Sequence, residues 1–334
     1  MLRGGFYLSL YSNDQRRNLM KKKLVVNSVL IMAVLILAAV SCSTIPQEIV
    51  DEAESSPPIV EDQGSDSQPE TLAEEQKEPV NEGLAEAFIE MEFTTSDGRT
   101  LKGTYFPASF SPAPMVVMMH WAPGDQSDMR ELAFWLQNRG LSEFQADNPP
   151  SRPWLDPSWF PELGEERSYG VFTFTFDGCE GGCNSFDREK WLLDAQAAVQ
   201  TAYTLEGVDP TRIVTVGASI GADGAADGCI YLNSEYPGSC QGAFSLSPGD
   251  YLTLSYADVI EQLHSLEPAA ITYCLYATGD PESAAVCQPL LESEAGKIIA
   301  YETNFHGMLL VQPNLEHDTL GLMIEFLDVT VEGK

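Results

Sequence analysis

Two short segments of alternating character, Ile89-Glu90-Met91-Glu92-Phe93 and Leu101-Lys102-Gly103-Thr104-Tyr105, flank Ser96-Asp97-Gly98-Arg99. Apolar residues at every second position predict strands with one dry face, and the Asp-Gly pair between them predicts a hairpin turn. The pattern then changes. Met115-Val116-Val117-Met118-Met119-His120 is almost continuously apolar, and runs of the same kind recur at Val171–Phe176, Ile213–Gly217, Ala243–Leu246, Ala270–Tyr276 and Ile298–Tyr301. Such runs predict strands buried on both faces, as in a parallel sheet. The segments between them carry helical spacing: Trp191, Leu192, Ala195, Ala198, Val199 and Ala202 fall on one face at intervals of three and four. Strands alternating with helices predict an α/β fold: a mostly parallel, doubly wound sheet with an N-terminal antiparallel hairpin and helices on both faces.

Two regions break this rhythm. Residues 141–168 have no clear period and include Asn148-Pro149-Pro150-Ser151-Arg152-Pro153-Trp154 and Pro157-Ser158-Trp159-Phe160-Pro161. A loop of this length with so many aromatics reads either as a wall or lid over a pocket or as a packed surface loop. At the other end, Arg16, Arg17, Lys21, Lys22 and Lys23 precede an apolar run from Leu24 to Val40 that closes with Ala39-Val40-Ser41-Cys42. That is the order of an export signal over residues 1–41, with Met20 the more natural start. The segment from 42 to 86 is rich in Glu, Asp, Pro, Ser and Gln and reads as a disordered acidic tether, leaving 87–334 as the folded domain.

The most informative motif is Gly217-Ala218-Ser219-Ile220-Gly221, set between the run Ile213–Val216 and the small-residue segment Ala222-Asp223-Gly224-Ala225-Ala226. This predicts a strand, a sharp turn and a helix with serine at the apex. Glycines two positions either side leave room for a turn that tight, and the first helical amides point at whatever sits on the hydroxyl. The bland alternative is a glycine-rich turn after a buried strand. Serine is a poor nucleophile unless a base takes its proton and an acid orients the base. Asp280, in Ala277-Thr278-Gly279-Asp280-Pro281, follows one strand, and His306, in Asn304-Phe305-His306-Gly307-Met308, follows the last. Each is an ordinary turn residue on its own; their order and strand-end positions make them the candidate acid and base. Asp250, in Ser247-Pro248-Gly249-Asp250-Tyr251, is a rival acid, whereas His264 and His317 fall in or near helices.

With these residues in view the chain resembles the α/β-hydrolase superfamily over residues 87–330, and is most similar to its dienelactone hydrolase-like and prolyl-oligopeptidase-like esterase branches, here as a bacterial lipoprotein. The resemblance implies a Ser219–His306–Asp280 triad. It also implies an oxyanion hole from the amide of Ile220 and a second amide in His120-Trp121-Ala122-Pro123-Gly124, from Trp121 or Ala122. Trp121 stands where that family usually has glycine, so its indole narrows the acyl side. Dienelactone hydrolases proper use a cysteine nucleophile, which moves the reading toward a carboxylesterase. A small peptidase, an acyl transferase or a noncatalytic binding lipoprotein are the alternatives.

Composition narrows the setting. The segment before Cys42 resembles a lipobox, in which that cysteine becomes the lipidated first residue; an uncleaved membrane anchor is the alternative, and either places the domain outside the cytoplasm. Of the 7 cysteines, setting Cys42 aside leaves an even number, as expected in an oxidising compartment. Spacing suggests local pairs, Cys179 with Cys183, Cys229 with Cys240 and Cys274 with Cys287, although connectivity stays open. Cys179 and Cys183 have no further close Cys or His to complete a metal site, so neither metal nor cofactor is expected. A net charge of −32 argues against nucleic acid. The expected partners are a small-molecule ester and, through the Cys42 lipid, a membrane.

Overall fold

Strands β1 (Ile89–Thr94) and β2 (Thr100–Phe106) pair antiparallel, Ile89 opposite Tyr105 and Thr94 opposite Thr100, around the expected Asp-Gly turn. The computed structural model describes residues 86–145, 151–293 and 296–333. The export segment, Cys42 and the tether up to residue 85 lie outside the described residues, as do residues 146–150 of the insertion. The remaining strands are β3 (Ala113–Met119), β4 (Gly170–Phe174), β5 (Val208–Ala218), β6 (Cys240–Leu246), β7 (Ile271–Ala277) and β8 (Lys297–Tyr301). The helices are α1 (Arg130–Gln137), α2 (Arg188–Thr204), α3 (Ile220–Glu235), α4 (Tyr256–His264), α5 (Pro281–Cys287), α6 (Leu290–Ser293) and α7 (Thr319–Leu327). Among the described residues no helix is long and apolar enough to cross a membrane.

The eight strands form one sheet in the order β1-β2-β4-β3-β5-β6-β7-β8. Strands β3 to β8 are parallel, and β2 runs antiparallel to β4. This is the α/β-hydrolase fold. The chain winds outward from β3 in one direction through β4 and in the other through β5 to β8, so the topological switch point lies between β3 and β5. Ligands of open α/β sheets bind beyond the carboxyl ends of the strands at that place.

The continuous apolar runs are explained by burial on both sides. Along β3, Met115, Val117 and Met119 enter one core layer while Val116 and Met118 enter the other. The first layer is covered by α2 through Trp191, Ala195, Ala198, Val199 and Ala202, by α3 through Ala226 and Leu232, and by α4 through Val259, Ile260 and Leu263. The second is covered by α1 through Leu132, Phe134 and Leu136 and by α7 through Leu320, Met323 and Phe326. Each fully buried aliphatic or aromatic side chain of this kind contributes about 1.5–3 kcal/mol of transfer free energy. The three local cysteine pairs are bonded as spacing suggested: Cys179–Cys183, Cys229–Cys240 and Cys274–Cys287.

Helix α3 is built almost wholly of small residues and carries two buried carboxyls, Asp223 and Asp227. Burial raises Asp223 from 3.8 to about 7, against the pull of backbone amides at Gly249, Tyr251 and Leu252. Asp227 is raised well above the ordinary range, first by burial and then by the nearby Asp223 and Asp250, and its Oδ2 has no hydrogen-bond partner among the described residues. A carboxyl whose folded-state pKa exceeds its unfolded one binds its proton more tightly when folded, so its stabilising contribution is complete at low pH and is lost as pH rises through the folded value. The unfolding free energy obtained from urea titrations should therefore fall as pH rises from about 4 through about 7, by up to about 1.4 kcal/mol per pH unit for each proton involved. Asp227→Asn should flatten that dependence; an unchanged slope would contradict the assignment.

Candidate active site

The turn after β5 is held by contacts that only glycine allows. A Cβ on Gly217 would lie 1.8 Å from the carbonyl oxygen of Gly221, and one on Gly221 would lie 2.2 Å from the carbonyl oxygen of Met119. The end of β3 and the start of α3 thus meet backbone to backbone. Ser219 sits between them at φ 55, ψ −120, a conformation that non-glycine residues rarely adopt. Serine preceding a helix usually turns its hydroxyl back to cap the first amides. Ser219 makes no such cap. Its Oγ lies 2.8 Å from Nε2 of His306 instead.

His306 follows β8 by one short loop, and the next residue, Gly307, has φ 57. A side chain there would meet Trp121 Cε3 at 3.1 Å and Ser219 Cβ at 3.6 Å, so the tight left-handed step brings the imidazole over the serine. The other ring nitrogen, Nδ1, is 2.6 Å from Oδ2 of Asp280. Asp280 occupies the position before Pro281 where an aspartate would cap α5, yet its side chain makes no cap bond. Its Oδ2 also accepts from the Ser283 hydroxyl at 2.7 Å, and the residue is largely buried. With Nδ1–H donating to Asp280, Nε2 is left as the acceptor for the Ser219 proton.

The structure therefore brings Ser219, His306 and Asp280 together at the carboxyl edge of the sheet. Asp250 is not part of that contact: it has φ 54, and its Oδ1 accepts from the amide of Tyr256 at 2.6 Å. His264 contacts Thr272, and His317 contacts the carbonyl of Ala300. Among the described residues no group of His, Cys, Asp and Glu could hold a metal ion.

The loop after β3 is fastened from three directions. His120 is fully buried; its Nε2 accepts from the amide of Phe176 at 3.0 Å, which requires the proton to be on Nδ1, and Nδ1 lies 2.8 Å from the carbonyl of Trp121. Burial lowers its pKa, which keeps the ring neutral. The amide of Gly124 also donates to the Trp121 carbonyl. With that carbonyl drawn inward, the N–H of Ala122 in the same trans peptide faces the opposite way. The Ala122 carbonyl in turn accepts from the amide of Cys183 at 2.8 Å, so the small Cys179–Cys183 ring braces this loop. Ile220, first residue of α3, contributes an amide that has no intrahelical acceptor.

Sequence reasoning missed Asp128. It is fully buried in the turn before α1, and it accepts from the indole of Trp121 at 2.7 Å, the indole of Trp154 at 3.2 Å and the guanidinium of Arg152 at 2.7 Å. Trp154 is itself fully buried and meets Trp121 edge to face, ring centroids 5.5 Å apart. The described part of the insertion is thus secured against Trp121 through Arg152 and Trp154. An aspartate shortly after a Trp-containing strand end carries no special signal in sequence, whereas Trp121 and Trp154 were conspicuous.

No protein-family profile matches the chain. An uncharacterized protein of Escherichia coli K12, YfhR, is 28% identical over 139 residues, which span 41% of this chain and 40% of that protein. Among solved structures, the Pyrococcus furiosus esterase Pf2001 is similar with a TM-score of 0.49 and 17% identity, covering 74% of this chain and 92% of its own. The dienelactone hydrolase of Anabaena variabilis is similar with a TM-score of 0.48 and 13% identity, covering 73% and 98%. Strand order and the turn at Ser219 carry the fold.

The contrast between the two carboxylates is testable with a phosphonylating reagent directed at activated serines. Asp280→Asn should slow modification of Ser219 by about two to four orders of magnitude, the range in which an orienting acid matters. Asp250→Asn should slow it by less than about tenfold; the reverse ranking would transfer the role to Asp250.

Proposed function

We propose that the protein is an extracytoplasmic serine hydrolase that cleaves a carboxylic ester through an acyl-enzyme. The observation that carries this reading is the continuous chain from Ser219 Oγ to His306 Nε2 at 2.8 Å and from His306 Nδ1 to Asp280 at 2.6 Å, set on a strained turn at the head of a helix. In the first step Ser219 Oγ bonds to the acyl carbon while its proton passes to Nε2 of His306. The imidazolium so formed is stabilised by Asp280, and the carbonyl oxygen takes up the charge between the amides of Ile220 and Ala122. Collapse breaks the ester C–O bond, and the departing alcohol takes the proton from Nε2. Water then repeats the sequence on the acyl-enzyme and frees the acid.

Substrate shape follows from what flanks the serine. Trp121 and the backbone of Gly307 fill the space beside Ser219 Cβ, and Trp121 is immobilised by Asp128 and Trp154. That favours short acyl groups. The disulfides support an oxidising compartment, and a lipidated Cys42 at the head of the 42–86 segment would tether the domain to a membrane from outside.

A fluorophosphonate probe applied to cells should label the protein in the membrane fraction, and Cys42→Ser should move the labelled band to the soluble fraction. Ser219→Ala should abolish labelling and lower ester turnover by at least about 10³-fold. An intact wild type that resists the probe beside a labelled control esterase would falsify the hydrolase reading. In a series of 4-nitrophenyl esters, turnover should be greatest for the shortest acyl chains, and Trp121→Ala should shift the optimum toward longer ones. A long-chain optimum in the wild type would exclude the proposed wall.

A further inference from the structure

The loop that follows β6 is strained at two non-glycine positions, Ser247 with φ 53 and Asp250 with φ 54. Strain of this kind persists only where the surroundings dictate it, and it gathers at functional sites. The determinant here is Asp223, four positions after Ser219 on α3. Its buried carboxylate accepts from the amides of Gly249 at 3.0 Å, Leu252 at 3.3 Å and Tyr251. Asp250 secures the far side of the loop through the amide of Tyr256.

What this clamp fixes is Tyr251. Its ring folds over Gly249 so closely that a Cβ on that glycine would lie 2.3 Å from Cζ of the phenol. The ring then meets the His306 imidazole edge to face, centroids 6.1 Å apart and planes at 87°. Its hydroxyl donates to Oε2 of Glu282 at 2.9 Å, two residues beyond Asp280. One residue therefore touches the serine's helix, the histidine ring and the segment that carries the acid.

We infer that Tyr251, held by Asp223 and Glu282, is a positioning residue that keeps the His306 imidazole aligned with the oxygen of the leaving alcohol. The inference rests on the serine-hydrolase reading above. Once Ser219 Oγ is bonded to the acyl carbon and its hydrogen bond to Nε2 is given up, Asp280 at Nδ1 is the hydrogen bond left to the ring, and with the side chain 31% exposed the imidazole is free to tilt about that contact. The imidazole must take a proton from Ser219 and return it to a second oxygen nearby, and small misplacements at such a transfer cost large factors in rate. The packed edge of Tyr251 removes the tilt.

The consequence depends on the leaving group. An alkyl alcohol departs only as it receives the His306 proton, whereas 4-nitrophenolate leaves without one. The experiment compares kcat/KM for the ethyl and 4-nitrophenyl esters of the same short acid, with rates expressed per fluorophosphonate-titrated site so that unfolded molecules do not count. Tyr251→Ala should lower the ethyl to nitrophenyl ratio by about tenfold, a part of what proton transfer supplies. Tyr251→Phe, which keeps the ring, should recover most of that ratio. Gly249→Ala, which displaces the ring from outside, should lower it in the same direction and carries the comparison if Tyr251→Ala does not fold. Equal losses on both esters, or a ratio within about twofold of wild type, would overturn the role of Tyr251. A wild type that takes no label overturns the reading on which the role rests, and the two failures are told apart by the titration alone.

Discussion

The contact between the Gly221 backbone and the carbonyl of Met119 sets the distance between the end of β3 and the start of α3. Because no side chain separates them, the loop after β3 and the head of the helix that follows Ser219 lie directly against one another. The strain at Ser219 is the other face of this contact, since a relaxed backbone there would turn the hydroxyl back into the helix as an ordinary cap. Widening the approach by a single methyl group would separate Ser219 from its surroundings without touching any polar residue.

Around that contact the site is assembled from pieces that are each pinned to something else. The β3 loop hangs on the neutral, buried His120 below it and on the Cys183 amide beside it. The loop after β6 hangs on Asp223, and the Tyr251 ring reaches across to His306. Sites built from loops gain precision when their supports are locked by packing and hydrogen bonds, and here much of that locking comes from buried polar groups.

Much of this was legible in the linear pattern. The parallel strands announced themselves because burial on both faces removes polar residues from every position, and the order along the chain put Ser219, Asp280 and His306 each just after a strand, which in a parallel sheet is one edge. Choosing between Asp280 and Asp250 was harder, because both stand shortly after a strand in a glycine-containing turn. Only the amide of Tyr256 resolves them, since it occupies one carboxylate and leaves the other facing His306. Asp128 and Asp223 were not legible at all. Their importance lies in donors that arrive mostly from 24 or more residues away, and a lone aspartate in a turn or on a helix looks like a solvated one until that burial is seen.

The hold of Asp128 on Trp121, Trp154 and Arg152 has a kinetic side. Lifting residues 152–155 away from Trp121 would strand a dry carboxylate with most of its donors gone, a penalty of several kcal/mol for a charge left without partners. Arg152 and Trp154 are for this reason firmly held beside Trp121. On the ester-cleaving reading, the indole of Trp121 then meets an acyl group in a shape set before binding, so fit on that side is decided by the substrate and not by adjustment of the protein.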